Sequence, residues 1–264
     1  MMDIIAEALK LGREALKDAL RSYGGEIYGR GAYGDLTFKF DIVVEDAIIK
    51  YLREKIPSST IISEEKGVIE ASAPEYFILI DPVDGSKNAS RGIPFYASSI
   101  VVSKSPRISD IIAAGLIDHV SGDLYLGERD VGVLVNGERP RLSQVKSLKD
   151  AIMLIDHASF KAESPEVRAW AIKLLSSLKA SRFLASAGLE IAYILSGRVE
   201  GFACLGKSLK LMDFLASTYL LELAGGSFKI SDSEKTLSLM DRRGFSVIAT
   251  ANQELLEEVL RLKH

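Results

Sequence analysis

The chain has 264 residues, 47% of them hydrophobic, and a formal net charge of −3 with both signs interspersed. That length and apolar content exclude a disordered or fibrous chain, and the charge pattern gives no electrostatic footprint for nucleic acid or for a membrane surface. The single cysteine, Cys204, excludes an intrachain disulfide framework, and with only three histidines a Cys/His zinc site is a poor fit, whereas a hard cation held by carboxylates stays open.

Residues 2–22 place Ile5, Leu9, Leu16 and Leu20 on one stripe at helical spacing, which predicts a packing helix. No basic segment, apolar core and small-residue cleavage site follow one another here, and no apolar run reaches the ~18 residues of a membrane span. The expectation is therefore a soluble cytoplasmic protein whose partners are small molecules. Residues 23–36 contain five glycines and read as a long, mobile loop leading into Asp41. A second amphipathic helix carries Val44 and Ile48 and stops before Pro57. A short strand at 60–62 then ends at the acidic pair Glu64-Glu65.

Residues 76–80 form an uninterrupted apolar run that predicts a strand buried on both faces. A tight polar turn is expected next, holding Asp81 and Asp84, stiffened by Pro82 and opened by Gly85. Amides around Gly85 and Ser86, at a possible helix start, offer donors to an anion beside such a turn. Runs at 95–103, 111–118, 124–127 and 131–135, the last reaching Asn136-Gly137, predict an antiparallel meander. From 151 onward strands and helices alternate: strand 151–155, helix 164–178, strand 182–185, helix 187–196, strand 199–204, helix 209–224, strand 246–250 and a final amphipathic helix. A weak boundary near 140–150 divides an N-terminal lobe, 1–145, from a C-terminal lobe, 146–264, within one compact unit.

The acids fall where strands end or helices begin. Asp213 lies in Leu211-Met212-Asp213-Phe214-Leu215, where a carboxylate is costly unless it is paired, capped or bound to a cation. Each acid also has a plainer reading: Asp41 and Asp213 as helix caps, Asp81 as a turn cap, and Asp84 and Glu64-Glu65 as solvated loop residues. Together they suit Mg²⁺ or Mn²⁺, which prefer oxygen ligands and are held by a few carboxylates plus substrate phosphate. Paired ions of this kind serve phosphate-ester hydrolysis.

The segments ISEEKG at 62–67, DPVDGSKN at 81–88 and LMDFLAS at 211–217 resemble the three signature segments of the inositol monophosphatase and fructose-1,6-bisphosphatase superfamily. GIPFYASSIVV at 92–102, GVLVNGERPRLS at 132–143, SAGLEIAYILSGRVEGF at 186–202 and ELAGGSF at 222–228 are similar to it in order and spacing. The resemblance implies a layered α-β-α-β-α sandwich of α/β class. It implies that Glu64, Asp81 and the Val83 carbonyl hold one metal and that Asp81, Asp84 and Asp213 hold another. Glu65 and Asp41 match positions of an additional, weaker metal, and Asp41 with Ser86 matches the pair that orients the attacking water, so the catalytic assignments are Asp41, Glu65 and Ser86. Asp84, Gly85, Ser86, Ser186 and Lys207 are the substrate-binding assignments.

Two departures, Ser86 for a usual threonine and Met212 for a usual aromatic, remove no ligand. Cys204 falls near the place where many inositol phosphatases carry an acid contacting sugar hydroxyls. Lys207 and Lys210 either meet a second phosphate or are solvated loop lysines. The resemblance implies a Mg²⁺-dependent phosphatase of sugar or polyol phosphates, with Mn²⁺ as a substitute, accepting fructose-1,6-bisphosphate, inositol-1-phosphate or both, and assembled as a homodimer or dimer of dimers. The rivals are a phosphoadenosine phosphate 3′-phosphatase and a non-catalytic binding protein on the same fold.

Overall fold

A computed structural model describes residues 1–231 and 237–263. Helix α1 (Met2–Tyr23) is followed by a short hairpin, β1 (Ile27–Arg30) with β2 (Leu36–Phe38), and by helix α2 (Lys39–Lys55). The glycine-rich stretch is thus not a featureless loop, because Ile27 pairs with Phe38 and Arg30 with Leu36 around its glycines.

Seven strands then form one sheet: β3 (Ser59–Ser63), β4 (Gly67–Ile69), β5 (Tyr76–Asp84), β6 (Ala97–Ser103), β7 (Ile111–Asp118), β8 (Leu124–Glu128) and β9 (Gly132–Val135), in the order β4-β3-β5-β6-β7-β8-β9. From β5 to β9 it is the predicted antiparallel meander, while β3 runs parallel to β5. The short helix α3 (Ser86–Ser90) sits between β5 and β6.

The second half supplies β10 (Ile152–Ile155), α4 (Ala158–Lys161), α5 (Pro165–Ser177), β11 (Ala180–Arg182), α6 (Ala187–Leu195), β12 (Gly201–Leu209), α7 (Leu211–Leu223), β13 (Ser227–Ile230), β14 (Phe245–Thr250) and α8 (Gln253–Arg261). Its five strands are ordered β11-β10-β12-β14-β13. The seven-stranded sheet lies within 1–145 and the five-stranded sheet within 146–264, and α6 and α7 pack between them.

Side-chain alternation shows why this is a five-layer stack. On β5, Ile78 and Ile80 join the core under α1 and α2, while Leu79 joins the central core of α6 and α7. On β12, Phe202 and Cys204 face that central core, while Ala203 and Leu205 face α5 and α8. Both sheets are apolar on both faces, so both must be covered twice, which gives the α-β-α-β-α order. Each fully buried Leu, Ile or Phe in these cores contributes roughly 1.5–3 kcal/mol. Among the described residues no helix is long and apolar enough to cross a membrane.

Candidate active site

Asp41 is the third residue of α2 and Asp213 the third of α7. Each turns one carboxylate oxygen back to the amide preceding its helix, Phe38 N–H at 2.8 Å and Lys210 N–H at 2.7 Å. A first-turn acid meets unpaired amides and the positive end of the helix dipole, which offsets its burial. Capping occupies one oxygen only, so it is compatible with a second role. Asp41 Oδ1 accepts from the Ser86 hydroxyl at 2.8 Å.

The predicted turn after residue 80 is instead a continuation of β5. Asp81 faces Ser99 and Asp84 faces Ala97, so three steps on β5 match two on β6, which is a bulge. The extra residue aims the acids away from the ladder. Asp81 is only 2% exposed, and its Oδ1 is buried without a hydrogen-bond partner. Asp84 lies at the N-terminus of α6, where Oδ2 accepts from Ser186 Oγ at 2.8 Å and Gly188 N–H at 2.7 Å. Gly85 follows with φ of 90°, and a Cβ there would stand 3.0 Å from the Phe95 carbonyl oxygen. That left-handed residue lets Ser86 begin α3, with its hydroxyl 2.7 Å from the Val83 carbonyl oxygen.

Glu64 and Glu65 occupy the turn between β3 and β4. Glu65 Oε2 accepts from Thr37 Oγ1 in β2. The turn itself is braced from below by buried Glu45, whose Oε1 accepts from Ser63 Oγ and from the amides of Glu65 at 3.0 Å and Lys66 at 3.1 Å.

Burial, then the charge of its neighbours Asp213, Glu65 and Asp41, pushes the Glu64 carboxyl well above its ordinary range. Asp81 is pushed the same way by burial and then by Glu64, Asp84 and Asp213. Burial raises Asp213 to about 7, with Asp84 adding to it and the Lys210 amide opposing. Burial likewise raises Asp41 and Glu65 to about 7, against hydrogen bonds from Phe38 and Ser86 in the first and Thr37 in the second. Asp84 reaches about 6, held down from a larger rise by Ser186 and the first amides of α6. Among the described residues no three of these side chains have the close spacing of a finished metal cage. Glu64 nevertheless feels the charges of Asp213, Glu65 and Asp41, and Asp81 those of Glu64, Asp84 and Asp213, so these acids are electrostatic neighbours.

An all-oxygen set of carboxylates with one buried unpaired oxygen fits a hard divalent cation. The structure brings together Asp41, Glu64, Glu65, Asp81, Val83, Asp84, Gly85, Ser86, Ser186 and Asp213. It sets Lys207 apart, exposed on the wall of another cavity. Lys210 is the lysine against the acids, where its charge lowers Glu64, Glu65 and Asp213. Cys204 is fully buried, with Sγ 3.2 Å from the Gly206 carbonyl oxygen, so it offers nothing to a sugar hydroxyl. The sequence reading missed Glu45, Thr37 and Glu190. Glu190 is fully buried beneath Asp84 and raised to about 8 by burial, with Leu184 N–H opposing. The signal was the one that singled out Asp213, an acid on an apolar helix face.

The profile of the inositol monophosphatase family matches residues 2–264. A fructose-1,6-bisphosphatase/inositol-1-monophosphatase from Methanothermobacter thermautotrophicus is 30% identical over 249 residues, covering 90% of this chain and 86% of its own. The Nus factor SuhB of Escherichia coli is 34% identical over 194 residues, covering 73% and 70%. In three dimensions, the extragenic suppressor protein SuhB from Bartonella henselae superposes with a TM-score of 0.84 at 23% identity, covering 99% of this chain and 97% of its own.

Proposed function

Because the chain belongs to the inositol monophosphatase family, we propose that it is a Mg²⁺-dependent phosphatase of sugar or polyol phosphate monoesters, acting on fructose-1,6-bisphosphate, inositol-1-phosphate or both. The observation that carries this reading is Asp81 Oδ1, buried and unpaired among the carboxylates of Glu64, Asp84 and Asp213. An unsatisfied buried polar atom costs about 1–3 kcal/mol, and more when charged, so the arrangement calls for a cation. The family is metal-dependent, and a donor set of oxygens alone favours Mg²⁺, with Mn²⁺ as substitute.

In this reading Glu64, Asp81 and the Val83 carbonyl would hold one ion and Asp81, Asp84 and Asp213 a second, with Glu65 and Asp41 available to a weaker third. Bound there, the ions supply Lewis-acid polarisation of the phosphate and activation of water. The chain itself supplies position and proton transfer. The Ser86 hydroxyl and Asp41 Oδ1 orient the attacking water, and Asp41, raised to about 7, is matched to accepting a proton near neutrality. Amides of Gly85 and Ser86 receive the phosphate oxygens. Ser186 acts by holding Asp84, to which its hydroxyl is bonded. The family likeness also motivates a homodimer or a dimer of dimers, which the mass of the purified protein in solution decides.

The test is phosphate release from fructose-1,6-bisphosphate, inositol-1-phosphate and phosphoadenosine phosphate with Mg²⁺, with Mn²⁺ and with EDTA. Release from one or both of the first two, lost in EDTA and restored by Mg²⁺, is expected. Preference for phosphoadenosine phosphate replaces the substrate, and silence toward every ester with either ion overturns the catalytic reading.

A further inference from the structure

A cavity of about 830 Å³ contains none of the acids above and lies between the 157–164 segment, α5, the end of β12, β13 and the C-terminal end of α8. That is the size range of small-molecule sites. Lys161, Lys207, Lys229 and Lys263 stand around it, all exposed, and among the described residues that line it Glu163 supplies the one carboxylate. Among the described residues none of the four ammonium groups has an ion-pair partner.

The floor is of another kind. Trp170, Leu205 and Ile248 line it and are nearly buried, at 8%, 4% and 4% exposure. The indole N–H of Trp170 is bonded to the Val259 carbonyl oxygen at 2.9 Å, so the ring offers carbon alone to the cavity. Lys263 Nζ lies 5.8 Å from the centre of that ring, which ties one rim charge to the floor. Four cations on a concave wall of low polarisability focus a positive potential into it, and lysine serves phosphate as a mobile point charge. Aromatic and aliphatic carbon beneath such a rim matches a ligand with both characters.

We propose that this cavity is a second binding site, for a phosphorylated small molecule with an aromatic or aliphatic body, its phosphate at the lysine rim and its body on Trp170 and Ile248. It does not depend on the phosphatase reading, since the acidic site repels phosphate unless a cation is present. The cavity wall is nevertheless continuous with that site. Residues 206–208 form it where the β12–β14 register slips between Cys204 and Leu209, and Lys210, which holds Asp213 through its amide, comes next.

The experiment is titration calorimetry of the full chain in EDTA with 1-naphthyl phosphate, with inorganic phosphate and 1-naphthol as its two halves. Saturable one-to-one binding of the whole probe, tighter than either half, is expected. Lys229→Glu with Lys263→Glu should weaken it at least about tenfold, with the melting temperature and Mg²⁺-dependent phosphate release unchanged. Lys161→Glu supplies an independent charge reversal should that pair fail to fold. No saturable binding in EDTA, binding that the reversals leave unaltered, or binding abolished by Asp84→Asn instead would each overturn the proposal.

Discussion

The Ser86 hydroxyl lies 2.8 Å from Asp41 Oδ1, joining the first turn of α3 to the first turn of α2. It has one proton and a second acceptor, the Val83 carbonyl oxygen at 2.7 Å. A cation on Val83 O would therefore leave Asp41 as the remaining acceptor and fix the hydroxyl's orientation. Asp41→Asn should lower kcat by roughly 10²–10⁴, and Ser86→Ala by roughly 10–10². As the two act as a unit, the double variant should be no slower than Asp41→Asn alone. Steady-state kinetics at saturating Mg²⁺ checks this, and losses that multiply would show separate roles.

Metal removal should make stability depend on pH in a definite sense. Burial raises Asp41, Glu65 and Asp213 to about 7 and Asp84 to about 6, above their ordinary values of 3.8 and 4.5. Between the ordinary and raised values the folded chain holds protons that the unfolded chain has lost, so stability falls as pH rises from about 4 through about 7, and Glu190, raised to about 8, extends the fall. In EDTA the melting temperature should be lower at pH 8 than at pH 5, and Mg²⁺ should raise it more at pH 8. Asp213→Asn removes one of these charges. It should melt higher than the parent at pH 8 in EDTA while losing Mg²⁺-dependent turnover, and a parent melting temperature that climbs over this range would contradict the account.

Much of this centre was readable because its acids violate the local pattern. Asp213 stands among Leu, Met and Phe, and the run at 76–80 ends in carboxylates, so the cost of burial pointed to both. Glu45 and Glu190 carry the same mark on α2 and α6, but both lie outside the three signature segments, so the sequence alone does not tie them to this centre. The strand through Asp84 was hidden because Pro82 and Gly85 are also turn residues, and only the pairing of Asp81 with Ser99 and Asp84 with Ala97 reveals a bulge. Lys207 and Lys210 are three residues apart in one lysine-bearing stretch, and sequence spacing does not separate them. The slip in β12 sends the first to the outer cavity and leaves the second at the head of α7.

Lys210 therefore has two consequences. Its ammonium group pairs with Asp35 and lies 5.2 Å from the Tyr33 ring, which also has the Arg242 guanidinium 5.1 Å from its centre. These contacts fasten the glycine-rich hairpin over the acids, while the same charge competes with a bound cation. Lys210→Met should tighten Mg²⁺ binding about two- to tenfold, as expected for removing one partly screened like charge. It should also speed amide exchange across residues 31–36. Calorimetry and hydrogen exchange measure the two separately, and weaker Mg²⁺ binding would mean that Lys210 supports the centre instead of opposing its cation.

Gly188 sits between Asp84 and the backbone of Asp213. Its amide donates to Asp84 Oδ2 at 2.7 Å, and its carbonyl oxygen accepts from Ser217 Oγ of α7 at 2.7 Å. A Cβ there would stand 3.0 Å from Asp84 Oδ2 and 3.1 Å from the Asp213 backbone oxygen. A methyl group must push Asp84 off the α6 amide or part α6 from α7, and either motion spreads Asp84 from Asp213. Gly188→Ala should cost roughly 1–3 kcal/mol, although alanine is the better helix former, because overpacking outweighs the ~1 kcal/mol of helix propensity gained. It should also weaken Mg²⁺ about tenfold or more, the loss expected when an ionised ligand is displaced from its support. Ala187→Gly, one residue earlier, is the control: it should cost only the propensity and leave Mg²⁺ affinity near that of the parent. If Gly188→Ala binds Mg²⁺ as the parent does, the spacing of Asp84 and Asp213 is set elsewhere than at this contact between helices.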